Sequence, residues 1–186
     1  MEIYKIYEPY LYSIKYDDQE LNEYDRLLDL WSDVSYVFSF LNDNKELLQH
    51  PVWHNYSALQ TATQRVLDEA LLLERRVIAA AQNADNNTLP DFDSLFKYLN
   101  GEFAELAVHV PMKAYGSQQS PSFLRMYAIK FEPNCYLVTG GGIKLAGKIS
   151  DSLDLRNHVI QNINKVRNFL NDNYIDSSND LNDESL

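Results

Sequence analysis

Cysteine is nearly absent. The 186 residues contain one, Cys135. A single thiol excludes an internal disulfide and any cysteine-rich metal site, and fits a reducing cytoplasm. Long apolar runs are missing too: none approaches the ~18–20 residues a membrane span needs. Met1 is followed by a charged, strand-like segment, not by the apolar core of a secretory leader. No internal repeat is present. These absences point to a soluble cytoplasmic protein without membrane association. Two of the four histidines, His50 and His54, sit with Pro51 and Trp53. No carboxylate or cysteine lies near them at a ligand-like spacing, so the cluster reads as a packed loop. No metal and no cofactor are expected.

Positive charge is scarce overall, with 16 basic side chains against 27 acidic ones and a net charge of −11. Its distribution is uneven. Residues 1–112 carry −11, residues 113–171 carry +5, and residues 172–186 carry −5. A uniformly acidic chain argues against nucleic acid as a partner. This chain has one basic segment, which reads either as an RNA-facing surface or as an ordinary solvated face. What is plentiful is apolar and aromatic: 45% of the residues are apolar and thirteen are tyrosine. That supports one cored domain, and tyrosines half buried with exposed hydroxyls suit a binding face.

Along the chain, residues 3–6 and 10–16 read as short edge-type strands separated by Pro9. In the second, Tyr10, Tyr12, Ile14 and Tyr16 alternate with Leu11, Ser13 and Lys15. Residues 20–41 read as one helix, with Leu21, Tyr24, Leu28, Trp31, Val34, Phe38 and Leu41 on one face and Asp17 or Asp18 as its cap. Residues 57–82 read as a long helix capped by Ser57, with the stripe Leu59, Ala62, Val66, Ala70, Leu73, Val77 and Ala81 against the first. Residues 82–90 form a polar linker, and residues 91–99 a short helix stopped at Asn100-Gly101. Residues 102–110 read as a strand, limited by Pro111, although composition alone also allows a helix over 102–107, and residues 115–122 read as a mobile turn. Residues 123–131 and 135–139 form a hairpin around Glu132-Pro133-Asn134. The triple glycine 140–142 bends the chain, and residues 143–149 extend the sheet. Residues 152–171 form the last helix, and the acidic residues 172–186 read as disordered. Strand, helices, strands, helix is an α+β layout. Residues 1–90 supply strands and a helical pair, and residues 91–171 an antiparallel sheet and closing helix, packed together as one domain.

The chemistry concentrates in residues 123–149, for which three readings stand. Gly142 to Gly147-Lys148 has the GxxxxGK spacing of a phosphate loop, but Ile149 stands where the Ser or Thr ligand of Mg²⁺ belongs. A second reading is a metal-free RNA-cleaving site. Arg and Lys stabilise charge developing on a phosphodiester, and a Tyr assists proton transfer. Arg125 and Tyr127, two apart, share one strand face, and Lys144 and Lys148 follow the glycine bend. Lys130 and Tyr136 are candidates for further RNA contact. A third reading is a non-catalytic interaction module, with these residues as surface charges and packed aromatics.

The run Leu99-Asn-Gly-Glu-Phe-Ala-Glu-Leu106, then Leu124-Arg-Met-Tyr127, then Leu137-Val-Thr-Gly-Gly-Gly-Ile-Lys144 with Lys148, followed by an amphipathic helix, resembles the RelE/ParE superfamily of toxins in its HigB-like branch. The likeness covers residues 95–171. It implies a small antiparallel sheet with helices against one side. It also implies ribosome-dependent mRNA cleavage neutralised by an antitoxin partner. On that resemblance Arg125 holds the phosphate, Lys144 and Lys148 stabilise charge, and Tyr127 assists proton transfer. Three departures stand out. Ala107 replaces the Arg that usually follows Glu-Leu, Leu145 breaks the usual double lysine, and a long helical half precedes the matching part. The expectation is a toxin-like, metal-independent endoribonuclease; the alternative is a protein-interaction module on the same fold.

Overall fold

A computed structural model describes residues 1–99, 108–145 and 153–185, and residues 153–158 in backbone only. The protein is α+β, with a six-stranded mixed sheet as its frame. The strands are β1 (Glu2–Tyr7), β2 (Leu11–Lys15), β3 (Lys97–Tyr98), β4 (Val110–Tyr115), β5 (Leu124–Glu132) and β6 (Cys135–Ile143). Their order across the sheet is β1-β2-β6-β5-β4-β3. All neighbours are antiparallel except β2 and β6, which run parallel with Leu11 opposite Tyr136. The N-terminal hairpin therefore completes the C-terminal sheet. The two parts read from the sequence share one hydrogen-bonded layer.

The strands alternate between two cores, as side chains two apart on a pleat must. Leu124, Met126, Ala128 and Val138 face a helical layer made of α1 (Glu23–Ser32), α2 (Val34–Asp43) and α3 (Leu59–Asp85). Tyr12, Ile14, Ile129 and Leu137 face α5 (Leu153–Asp172) and α6 (Ser178–Glu184). Of the alternation expected for residues 10–16, Tyr12, Ile14 and Tyr16 share the second core and Ser13 Oγ on the other face accepts from Tyr24 N of α1, but Tyr10, ahead of β2, packs against the first core.

The single helix expected over residues 20–41 is two helices. Asp33 breaks it with extended backbone, φ −80° and ψ 108°, and its carboxylate accepts from Ser35 N and Tyr36 N. The break turns α2 about its axis, so Val37 and Leu41 are buried while Val34 and Phe38 are exposed. Asn22 caps α1, not Asp17 or Asp18. The α3 stripe is as expected from Ala62 to Ala81, but its N-cap is Ala58, with no side-chain bond.

Between residues 91 and 99 the helix α4 covers only Phe92–Leu95, capped by Asp91, and the chain then forms β3. Residues 100–107, with the strand start and glycine cap expected there, lie outside the described residues. Pro111 sits within β4 rather than ending a strand. The expected hairpin 123–131/135–139 is present and longer, as β5 and β6.

The C-terminal residues correct the expectation of disorder. Ser177 and Asp180 form a capping box for α6, Leu181 is buried, and Ser185 bridges to Ile3. Composition marks residues 172–186 as too polar to build a core. Two apolar side chains, Ile175 and Leu181, nevertheless dock onto a core that already exists. Among the described residues no helix is long and apolar enough to cross a membrane.

Candidate anion site at Arg125

The end of the sheet where β4 and β5 meet the loop 116–122 gathers two arginines and several hydroxyl and amide donors. Tyr115 ends β4 directly opposite Arg125 near the start of β5. The Arg125 guanidinium lies over the Tyr115 ring, 4.1 Å from its centroid, a cation–π geometry. Its Nη1 donates to the carbonyl oxygens of Ser122 at 2.9 Å and Leu124 at 2.7 Å. Arg125 is 9% exposed and pairs with no carboxylate among the described residues. Burial pulls its pKa below the usual arginine value, partly offset by the neighbouring tyrosines and Glu69. The group nevertheless stays charged, since a guanidinium does not deprotonate in proteins.

A second guanidinium reaches the same place from α3. Arg76 Nη1 donates to Tyr115 O at 2.8 Å, and burial likewise lowers its pKa. Both arginines line a cavity of about 450 Å³, together with Lys97 of β3. Among the described residues no carboxylate lines it; the remaining polar lining is hydroxyl and amide, from Ser117, Gln118, Gln119 and Ser120 among others.

That loop is held by one buried carboxylate. Glu69, on α3, is 1% exposed. Its Oε2 accepts from Ser122 Oγ (2.8 Å), Phe123 N (2.9 Å) and Leu124 N (3.0 Å). Its Oε1 accepts from Arg65 Nε at 2.9 Å. Ser122 Oγ in turn accepts from Ser117 N at 3.1 Å. Gly116 is required by this approach, since a Cβ there would lie 2.6 Å from the Glu69 carboxylate and 2.7 Å from Leu124 Cβ. The segment expected as a mobile turn is thus tied at both ends.

Of the residues singled out in the sequence, Lys144 is the one brought to Arg125. It follows β6, its backbone N donates to Phe123 O at 2.7 Å, and its side chain lines a smaller cavity of about 90 Å³. Trp53, Ser122 and Arg125 line that cavity too, so Arg125 forms a wall common to both. Trp53 stacks on Phe123 at 4.0 Å and donates to Leu145 O, as a packed loop residue should. Lys148 and Ile149 lie outside the described residues, and with them half of the GxxxxGK loop.

Tyr127 shares the strand face of Arg125, as expected, but its environment does not suit proton transfer. It packs with Leu99, Val159 and Ile163. Its hydroxyl is buried without a hydrogen-bond partner among the described residues, and burial pushes its pKa up to about 12.

Lys130 and Tyr136 lie on the opposite face, on the helical-layer side. Asp93 Oδ1 accepts from Lys130 Nζ at 2.7 Å, from Tyr136 OH, and from Asn134 N at 3.1 Å. Tyr136 is fully buried and stacks on Phe96 at 4.5 Å. As RNA contacts the pair is therefore misplaced. It anchors α4 to the β5–β6 turn.

Cys135 is buried, and burial pushes its thiol up to about 12, which makes it an inert core residue. No group of three or more His, Cys, Asp or Glu side chains placed to hold a metal ion occurs among the described residues.

Sequence reasoning missed Glu69, Arg76 and Lys97. Glu69 left a signal: it stands three residues after Val66 and one before Ala70, inside the apolar stripe of α3. Arg76 left none, because a long side chain at a stripe edge normally snorkels to solvent. No family model matches the chain, and neither a curated protein nor a solved structure matches it.

Proposed function

We propose that the protein acts on RNA, gripping a phosphodiester at Arg125 in the manner that the resemblance to RelE/ParE toxins implies. One observation carries this reading: a buried guanidinium, bonded only to carbonyl oxygens, forms a wall shared by two cavities. No carboxylate among the described residues pairs with it, Glu69 acting on it only through space, and an incoming phosphate meets a preorganised, poorly hydrated cation. Lys144, on the wall of the smaller cavity, adds positive charge beside it.

In the cleavage this implies, the 2′-oxygen attacks phosphorus and loses its proton to a base. A 2′,3′-cyclic phosphate forms as the bond to the 5′-oxygen breaks, and that oxygen takes up a proton. Arg125 would neutralise charge building on the non-bridging oxygens. Partners in this reading are a translated mRNA on the ribosome and an antitoxin protein, in the cytoplasm. A second reading, binding without cleavage, is favoured by the sealed hydroxyl of Tyr127, which is in no position to exchange a proton with a substrate.

Retention of a short single-stranded RNA at increasing salt tests the grip, and mapping of mRNA 5′ ends after induced expression tests cleavage. Wild type should bind, and Arg125→Ala should lose roughly 0.7 from the slope of log affinity against log salt, the share of one single-strand phosphate contact. New 5′ ends with wild type and none with Arg125→Ala mark an endoribonuclease. RNA binding without new ends selects binding without cleavage. Equal RNA retention by wild type and variant refutes the grip.

A further inference from the structure

We propose that the cavity of about 450 Å³ beside Arg125 is a site for a phosphate monoester carrying a flat apolar body, a mononucleotide or the 5′-phosphorylated end of an RNA. This rests on the reading of Arg125 as a phosphate-holding residue and adds Arg76 and Lys97 to it.

The charge pattern is the first argument. The chain carries −11, yet among the described residues three cations and no carboxylate line this cavity. Two half-buried arginines on helices are neutralised, Arg26 by Glu23 at 2.7 Å and Arg65 by Glu69 at 2.9 Å, whereas Arg167 on α5 pairs with no carboxylate among the described residues and lines neither cavity. Arg76 and Arg125 instead bond only backbone carbonyls, from the two sides of one strand end: Tyr115 O, and Ser122 O with Leu124 O. A guanidinium so placed has other N–H groups left to donate. Two forks and an ammonium converging on one space match the charge of a monoester dianion better than the single charge of a backbone diester.

The second argument is the adjoining space. A cavity of about 260 Å³ shares Arg76, Ser94, Leu95 and Gln118 with the first. It continues over Leu72, Ala79, Ala80 and Pro90, an apolar floor for a ring. Asp91 is the single carboxylate there among the described residues. Burial raises its pKa, but hydrogen bonds from Asn134 and Ser94 outweigh this and hold it below the usual carboxylate value. It stands ready to accept from a donor on the ring or sugar. A cationic end and an apolar end joined at Arg76 describe a ligand with a phosphate at one end and a base at the other.

The third argument is rigidity. Glu69 fixes the loop that forms the wall, so its hydroxyl and amide donors are held in place before any ligand arrives.

The test is calorimetric titration with adenosine 5′-monophosphate, with adenosine, and with a short RNA bearing either a 5′-phosphate or a 5′-hydroxyl. The monophosphate should bind and adenosine should not. Arg76→Ala should weaken the monophosphate by roughly tenfold or more, the loss of one charge-assisted contact. Lys97→Glu, on an exposed strand position where misfolding is no concern, should weaken it in the same direction. If the free nucleotide binds and both RNAs bind alike, the source is a small molecule. If only the 5′-phosphorylated RNA gains, the source is an RNA end. Equal binding of adenosine and its monophosphate overturns the proposal. So does an unchanged affinity in both Arg76→Ala and Lys97→Glu. Loss of RNA retention in Arg125→Ala with no effect of Arg76→Ala or Lys97→Glu on the monophosphate defeats this inference and leaves the phosphodiester grip standing. Monophosphate binding sensitive to Arg76, in a protein that retains no RNA, does the reverse.

Discussion

Strand β5 carries a polar cluster at each end, and the two are built on opposite plans. At the far end, Lys130, Tyr136 and Asn134 all converge on Asp93, in the first turn of the helix α4. Every donor has an acceptor, and the charge of the lysine is cancelled. At the near end, Arg125 and Arg76 spend their hydrogen bonds on carbonyl oxygens, and no carboxylate meets them among the described residues. The first cluster is complete without a ligand. The second carries charge that no carboxylate among the described residues pairs with. Side-chain type does not separate the two, since both hold a cation stacked on a tyrosine ring. What separates them is whether a carboxylate closes the circuit.

The largest effect should come from the residue that holds the open cluster in shape. Glu69→Ala removes the acceptor for three loop donors and the partner of Arg65. Breaking such a buried set costs on the order of 3–5 kcal/mol, read as a lower urea midpoint at constant slope. Glu69→Gln keeps an acceptor and should lose less. A cost under about 1 kcal/mol for Glu69→Ala would mean that the loop is held by packing, and the preorganised wall of the Arg125 site would go with it.

A paired experiment then sets the clusters against each other. Asp93→Ala leaves Tyr136 OH buried without a partner and should cost about 1–3 kcal/mol, with RNA retention unchanged. Arg125→Met removes a buried, uncompensated cation and fills its space, so stability should move by less than about 1 kcal/mol, while RNA retention falls. If both variants lose stability equally and neither changes RNA retention, the contrast between closed and open clusters fails.

This contrast also explains what could be read from the sequence. The hairpin of β5 and β6, the stripe of α3 and the alternation of β2 are local patterns, and period and turn chemistry carry them. Arg125 and Tyr127 were placed on one face by the same period. The pairing of Lys130 and Tyr136 with Asp93 joins residues about forty positions apart, and no local signal reports it. Arg76 and Lys97 reach the cavity from elements that residues 123–149 do not include, so a search centred on that stretch could not gather them. The break at Asp33 was legible in principle, because an Asp followed by Val34-Ser35 can cap as readily as it can face solvent. The continuous apolar series masked it. The docking of α6 could not be read from its composition, because the core that receives Leu181 is supplied by distant strands.

The smallest effect concerns a third buried cationic residue type, one that can shed its charge. His109 starts the approach to β4 with φ 52° and is buried, its Nε2 2.9 Å from Ile175 O and its ring 5.1 Å from Phe131. Burial lowers its pKa from the usual value; the Ile175 carbonyl and Asp176 oppose this, and Arg167 adds to it. Below about 6.5 the unfolded chain therefore binds a proton that the folded chain refuses. Stability supplied by the neutral ring is complete above that pH and drains away as pH falls toward the folded value. The prediction is a steeper loss of Tm between about pH 7.5 and 5.5 in wild type than in His109→Asn, which tolerates the left-handed backbone and can still donate to Ile175 O. Identical slopes would mean that Asp176, 3.5 Å away and largely exposed, compensates the ring fully. Arg125 has no such escape. It remains charged across the whole range, and that is why a ligand, rather than a proton, is what the open cluster can exchange.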